Sequence, residues 1–391
     1  MNGPPPQAWL NALLVLIEKC QLGLLWLWHA LGLTGTSHGQ PAWPWARRIA
    51  GETLLIDLAL ARQVGLSLCA LAFALLAIAV AIAWRRGRLV LLAAAGLALL
   101  LAPWPRASLL LGPASPTSFH ASPTRFAVDA IVLGQRIYTQ HCATCHGHDG
   151  RGEGPLAASL PQWPPTLASP LLARRADGEL FWQVLSGMQD RRGQPTMPAF
   201  RGELKDREAW AVIDYMKALS AANSAAGNWP VPLRLPEMAI RCGNASPVAL
   251  SHWRGEQRVR LVAVDGNPAS LPYEDPRFLT VLVTADGRAP AQVPRFRAGC
   301  TATSAQAWQA VAAIAGVAPA KLAGTQLLAD GAGWLRARGT PGTAWSDADL
   351  VCVSGPAAAR QTMPAGTDGL TALLLRMDAE PVRFVKGGFI H

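Results

Sequence analysis

The run Cys142-Ala143-Thr144-Cys145-His146 constrains this chain more than any other stretch. Two thiols three positions apart, followed directly by an imidazole, form the pattern for covalent attachment of a c-type haem. At that spacing the thiols reach the two vinyl groups of one porphyrin, and the next side chain turns in to ligate iron. A thioredoxin-like redox pair, half of a zinc site and coincidence are the competing readings. With seven Cys and eight His in 391 residues, coincidence is rare.

A chain of 391 residues has room for two or three domains. Apolar residues make up 51% and charged residues 15%, and most of the apolar excess lies before Leu111. Residues 1–114 therefore read as a membrane anchor. The clearest span runs from Val64 to Trp84. A second, Leu89 to Leu111, is interrupted by Pro103, Pro105 and Arg106, and spans only if that kinked end sits at the interface with Trp104. Between them, Arg85-Arg86-Gly87-Arg88 is a basic loop that the positive-inside rule places in the cytoplasm. Everything after residue 114 is then delivered to the far side of an inner membrane, the periplasm of a Gram-negative-type cell, where c-type haem is attached. The run Trp9 to Leu33 is read as a third transmembrane helix. The alternative is an interfacial amphipathic helix, because Glu18, Lys19 and Gln21 fall near its middle. The anchor thus holds two or three spans. His29, between Trp28 and Ala30, reads as an interfacial residue rather than a ligand. Met1–Pro6 has no basic residue and no Ala-x-Ala site follows, so a cleaved signal peptide is not expected.

Residues 115–226 form the segment around the motif. Gly112 to Thr124, rich in Pro, Ser and Thr, reads as a linker. Helices are expected over Asp129–His141, Asp177–Met188 and Asp206–Ser220. Ile131, Gly134 and Tyr138 face inward on the first, Leu180, Phe181 and Val184 on the second, and Trp210 and Ile213 on the third. A glycine at 134 admits the backbone of a partner helix. Pro195-Thr196-Met197-Pro198 offers a thioether held between prolines, which suits an axial iron ligand; His/Met ligation favours electron transfer. Met188, ending a helix, is the competitor. His141 and His148 read as surface groups, and His120 as either surface or buried.

The segment resembles class I cytochromes c: a helix with Gly and an aromatic, Cys-x-x-Cys-His-Gly, a Gly-rich loop, a Met-Pro, and a last helix with Trp and Tyr. That resemblance implies thioethers at Cys142 and Cys145, iron ligation by His146 and Met197, and a carbonyl near Pro164 or Pro165 orienting the His146 ring. More closely, Pro116-Thr117-Ser118-Phe119, Ser122-Pro123-Thr124 and Asp177-Gly178-Glu179-Leu180-Phe181-Trp182 look like the cytochrome c portion fused to copper-resistance D-type membrane proteins. The chain departs from that family in having fewer spans and no obvious intramembrane set of His and Met.

After a flexible linker, Ala221–Pro230, residues 229–391 alternate strand-like runs (Arg258–Val264, Phe278–Thr284, Thr325–Leu328, Leu350–Val353) with helical ones (Ser304–Ala315, Gly369–Met377). The pattern suggests an α/β domain. Ser251-His-Trp-Arg-Gly with Val259–Val264, and Leu327–Arg336, faintly resemble thioredoxin-like redoxin or Sco-type domains. Where those place a cysteine pair, this chain reads Asp265-Gly-Asn-Pro-Ala-Ser, so a degenerate domain for docking or stability is expected. Cys242, Cys300 and Cys352 leave room for one disulfide in an oxidising compartment, with one thiol over and the pairing open. Cys20 and Cys69 read as buried small hydrophobes.

The expected chain is multidomain: transmembrane helices, an all-α cytochrome c domain and a degenerate thioredoxin-like α/β domain. Its function reads as a membrane-anchored periplasmic cytochrome passing single electrons through one covalent haem c to redox partner proteins of the periplasm or respiratory chain. The alternative is a copper-handling or copper-resistance accessory protein with a chaperone-like last domain. A third class, a haem enzyme such as a peroxidase, would need an open sixth site. No Lys/Arg block interleaves with aromatics, so nucleic acid is not an expected partner.

Overall fold

The computed structural model describes residues 8–169, 172, 175–223, 233–253, 255, 257–265, 274–290, 299–346, 349, 368–379 and 382. They belong to two units, one ending at Phe119 and the other running from His120 to Val382.

In the first unit the apolar runs become helices α1 (Ala8–Ala30), α3 (Leu58–Ala83) and α4 (Arg88–Leu101), with a short α2 (Gly51–Ile56) leading into α3. Asp57 caps α3 by accepting from the Ala59 and Leu60 N–H groups. By length and composition, Trp9–Ala30 and Leu58–Ala83 are long and apolar enough to cross a membrane. The run expected to reach Leu111 stops as a helix at Leu101. Ala102, just before Pro103, is forced into extended geometry, and the chain continues as a short α5 (Ala107–Leu110). Strands β1 (Thr36–Ser37) and β2 (Gln40–Pro41) pair with each other, and β3 (Arg47–Ile49) pairs with β4 (Leu111–Pro113). Cys20 and Cys69, expected to be buried, are exposed on their helices.

The second unit opens with α6 (Val128–His141), the turn α7 (Ala143–His146), α8 (Asp177–Ser186) and α9 (Asp206–Asn223). Ile131, Gly134 and Tyr138 are buried on α6, as their spacing requires. Helix α9 lies across them so closely that a Cβ at Gly134 would sit 2.5 Å from the Ala211 carbonyl carbon and 2.9 Å from Tyr215 Cβ. Between α8 and α9, β5 (Met188–Gln189) and β6 (Pro195–Met197) form a hairpin. Asp190 closes its turn by accepting from the Arg192 and Gln194 N–H groups (2.7 and 2.9 Å).

The C-terminal part is sheet-rich. Its eight strands are β7 (Leu233–Arg234), β8 (Ala239–Cys242), β9 (Val248–Ala249), β10 (Arg258–Ala263), β11 (Phe278–Val283), β12 (Cys300–Ala302), β13 (Gln326–Ala329) and β14 (Trp334–Gly339), in the order 7-14-13-10-11-12-8-9. Strands β10, β11 and β12 run parallel, while β13, β14 and β8 pair antiparallel. Helix α10 (Gln306–Ala315) packs on α6 and α9, so one apolar core runs from the helical segment into the sheet. The last helix, α11 (Gly369–Ala379), is tied to the sheet by the fully buried Arg336, which donates to the Met377 carbonyl (3.2 Å). Strands β7, β8, β9, β12 and β14 were not expected, and the expected strand Leu350–Val353 lies outside the described residues. The disulfide pairing left open by the sequence is Cys242 with Cys300, across β8 and β12.

Candidate haem site

The site starts where α6 runs out. His146 N–H and Cys145 N–H both bond back to the Cys142 carbonyl (2.9 and 3.2 Å), so Cys142, Cys145 and His146 share one tight turn. The Gly-rich loop then folds over that turn. Gly152 N–H donates to the His146 carbonyl (2.8 Å), Gly154 N–H to the Cys145 carbonyl (3.1 Å) and Leu156 N–H to the Thr144 carbonyl (2.9 Å). Gly152 has φ +86°, and a Cβ there would run into the Pro164 carbonyl oxygen. The glycine therefore lets residues 164–165 come down on the turn.

That approach sets the histidine. Pro165 supplies a carbonyl 3.3 Å from His146 Nδ1. A carbonyl only accepts, so Nδ1 carries the proton and Nε2 keeps its lone pair. Burial lowers the His146 pKa, an effect the Pro165 bond opposes, so the ring is held neutral as an iron ligand requires. Cys142 is pushed up to about 12, first by burial and then by neighbouring Cys145. A thiol so placed is no thiolate nucleophile at neutral pH. Tyr138, one turn before Cys142, donates to the Gly147 carbonyl (2.8 Å) and fixes the exit from the turn.

Met197 comes from a separate element. It ends β6, and it and Cys142 both border the main apolar core. The chain beyond it is fastened to the end of α8: Phe200 N–H bonds the Val184 carbonyl (3.2 Å) and Arg201 N–H the Leu185 carbonyl (2.9 Å). Phe181 of α8 stacks on Trp210 of α9, centroids 4.4 Å apart. Met188 does not end a helix. Helix α8 stops at Ser186, Gly187 turns the chain at φ +72°, and Met188 enters β5 directly opposite Met197, 38% exposed.

His141 lies on the surface, 3.8 Å from Glu203, and His148 is exposed. His120 is buried. Sequence reasoning missed Asp214, a carboxylate buried in α9 that accepts from the Thr124 hydroxyl. Its only signal was an acidic side chain directly after Ile213, four positions after Trp210 and three before Lys217.

The donor set fits a c-type haem: two thiols and a neutral imidazole on one turn, under a loop that glycines bring within backbone contact. Residues 129–216 match the family described as cytochrome C oxidase, cbb3-type, subunit III. They form a cytochrome c domain, which implies covalently bound haem c and haem-based electron transfer. A comparison with curated proteins finds no match. Among solved structures, a chain of the Kuenenia stuttgartiensis reducing HAO-like protein complex Kustc0457/Kustc0458 is similar at 24% identity with a TM-score of 0.23. The similarity covers 32% of this chain and 59% of that one, less than two thirds of its length.

Proposed function

We propose that this protein is a membrane-anchored periplasmic cytochrome that passes single electrons through one haem c, its iron held by His146 and Met197. The observation that carries the reading is the turn Cys142–His146 with its second contact. His146 Nδ1–H is spent on the Pro165 carbonyl, which orients the ring and leaves Nε2 as the only donor atom available for iron. When bound, the haem supplies a one-electron ferric/ferrous couple. The protein's part is to hold the axial groups and keep water away. Met197, fixed by the hairpin and by the Phe200 and Arg201 backbone bonds, would supply the thioether that keeps exogenous ligands from the iron once haem is bound.

The outer-side assignment draws support from the Cys242–Cys300 disulfide, since such bonds persist in oxidising compartments. The sheet is read as a thioredoxin-like core. Parallel β10 and β11 followed by the antiparallel pair β13 and β14, in the order 11-10-13-14, support that reading.

Haem staining of the denatured, reduced chain tests covalent attachment. The stain is expected to persist in the wild type and vanish in the Cys142→Ser/Cys145→Ser variant. Met197→Ala is expected to lose the weak red absorption band of a thioether–iron bond, and Met188→Ala to keep it. Haem that extracts into acidified organic solvent, or a band unchanged in Met197→Ala, would count against the reading.

A further inference from the structure

Helix α1 is long enough to span a bilayer, yet its contacts place it elsewhere. Near its middle, Gln21 donates to the Ile49 carbonyl (3.3 Å) and accepts from the Ile49 N–H (2.8 Å). Ile49 belongs to β3 and faces Leu111 of β4, beyond the end of α4. On the N-terminal half, Leu10, Leu13, Leu14 and Ile17 pack with Leu54, Leu60, Ala61 and Val64. Helices α3 and α4 form a hairpin packed along its length. Ser67 Oγ donates to the Pro103 carbonyl (3.0 Å), which levels the outer margin of that hairpin at Ser67, Pro103 and Trp104. From there to the Arg85–Arg88 loop is about 26 Å of helix, close to a thin hydrocarbon core of about 27 Å. The α1 cluster thus packs on Leu54, Leu60, Ala61 and Val64, outside the level of Ser67 and Pro103, with Leu68 at that margin.

Upright, the 23 residues of α1, about 34 Å in length, would stand their second half clear of the lipid and never reach the opposite surface. The side-chain pattern points the same way. Trp9, Leu16, Leu24 and Leu27 are 42, 51, 39 and 55% exposed, while Trp26, 60% exposed, projects on the side of Glu18 and Lys19. Trp9, Leu16, Leu24 and Leu27 fall with the exposed Cys20 within about 80° of arc, interrupted by the buried Leu13. Glu18 lies opposite that stripe, and Gln21 lies among the packed residues of a third face. Glu18 and Lys19 are exposed and Gln21 is held among packed residues near the middle of the helix, a placement that the headgroup–acyl boundary tolerates better than the bilayer interior.

We infer that α1 does not cross the membrane but lies in the plane of its outer surface, with Trp9, Leu16, Cys20, Leu24 and Leu27 immersed in the outer leaflet that the α3–α4 hairpin crosses. The chain then makes two crossings, and the start of α1 is on the same side as the haem segment. This rests on the membrane anchoring proposed above.

The test uses the full chain in native membranes and in vesicles of phosphatidylethanolamine and phosphatidylglycerol. Alkaline carbonate retention with haem staining checks the anchor. A protease-sensitive tag fused ahead of α1 is expected to be cleaved in intact spheroplasts. In a Cys20→Ser/Cys69→Ser/Cys352→Ser background, spin labels at Leu16→Cys and Leu27→Cys are expected to report the same depth. Those positions are about 16 Å apart along the helix, so an upright α1 would separate the depths by about that much. A retained protein whose tag is cut only in inside-out vesicles, or whose two depths differ by about 16 Å, overturns this inference alone. Spin–spin broadening between copies in place of lipid contact would assign the stripe to a second copy and overturn it too. Release by carbonate would sink the anchor and this inference together.

Discussion

Asp214 makes the stability of the haem segment depend on pH in a direction opposite to that of a salt-bridged carboxylate. Its side chain is 1% exposed on α9 and accepts from Thr124 Oγ1. Burial, the largest cause, pushes its pKa up from 3.8 to about 6, against the opposing pull of Lys217 and the Thr124 bond; Asp177 and Asp129 add to the rise. A pKa higher in the folded state means that the native chain holds the proton more tightly. The associated stability is complete below the unfolded value and is lost as pH rises through the folded one. A shift of about two units corresponds to about 3 kcal/mol in all, of which about 2 kcal/mol falls between pH 4.5 and 7.5. Replacing Asp214 with Asn keeps an acceptor for Thr124 and removes the titration. Denaturant unfolding of wild type and Asp214→Asn, followed by the Soret band across that range, should show the variant gaining about 2 kcal/mol relative to wild type as pH rises. Parallel pH profiles, or a gain on lowering the pH, would refute the assignment of the shift to burial.

Other substitutions probe the fold and the histidine's support. Gly134→Ala would force α6 and α9 apart at Ala211; overpacking of this kind costs about 1–3 kcal/mol, and a lowered midpoint in thermal unfolding reads it. The Cys242→Ser/Cys300→Ser variant opens a loop with a sequence separation of 58. In the chain-entropy account it loses about 4 kcal/mol, seen as earlier denaturant unfolding of the sheet, while haem staining is unchanged. Gly152→Ala would displace residues 164–165 from the Cys142–His146 turn and weaken the hydrogen bond that makes His146 a stronger base. Potentiometric titration should find the haem easier to reduce, and an unchanged potential would show that the Pro165 carbonyl does not tune the iron.

Covalent chemistry and helix crossings were legible in the sequence because both impose fixed local spacings. Cys142, Cys145 and His146 must share one turn to serve one porphyrin, and Ile131, Gly134 and Tyr138 must share one helix face. Boundaries were harder. The helix expected to reach Met188 ends two residues earlier because Gly187 takes a left-handed φ, and this moved Met188 from a helix end to a strand opposite Met197. In the sheet, β10 and β11 are buried on both faces and read as plain apolar runs. Strands β7, β8 and β9, two to four residues long, leave no periodicity to read. The Cys242–Cys300 pairing depends on register between strands 58 residues apart, which no local pattern encodes. Asp214 escaped notice for a different reason: an acidic residue on a helix ordinarily faces solvent, and only the packed structure shows Thr124 and Lys217 around it.

The anchor shows how far hydropathy carries and where it stops. Length and composition treat α1 and α3 alike, since each can cover the hydrocarbon core. What separates them is the level of their contacts along the chain, and one side chain, Gln21, reports it by gripping Ile49 with both its donor and its acceptor. A buried amide pair in mid-membrane would need that satisfaction at the centre of a bundle. Here it sits beside the β3–β4 pair, outside the hairpin margin. The polar residues at 18, 19 and 21, costly at the centre of a span, cost little at an interface where Glu18 and Lys19 reach water. The same placement leaves Arg85, Arg86 and Arg88 as the inner turn of a two-crossing anchor, which satisfies the positive-inside rule without help from Arg47 and Arg48 on the outer side.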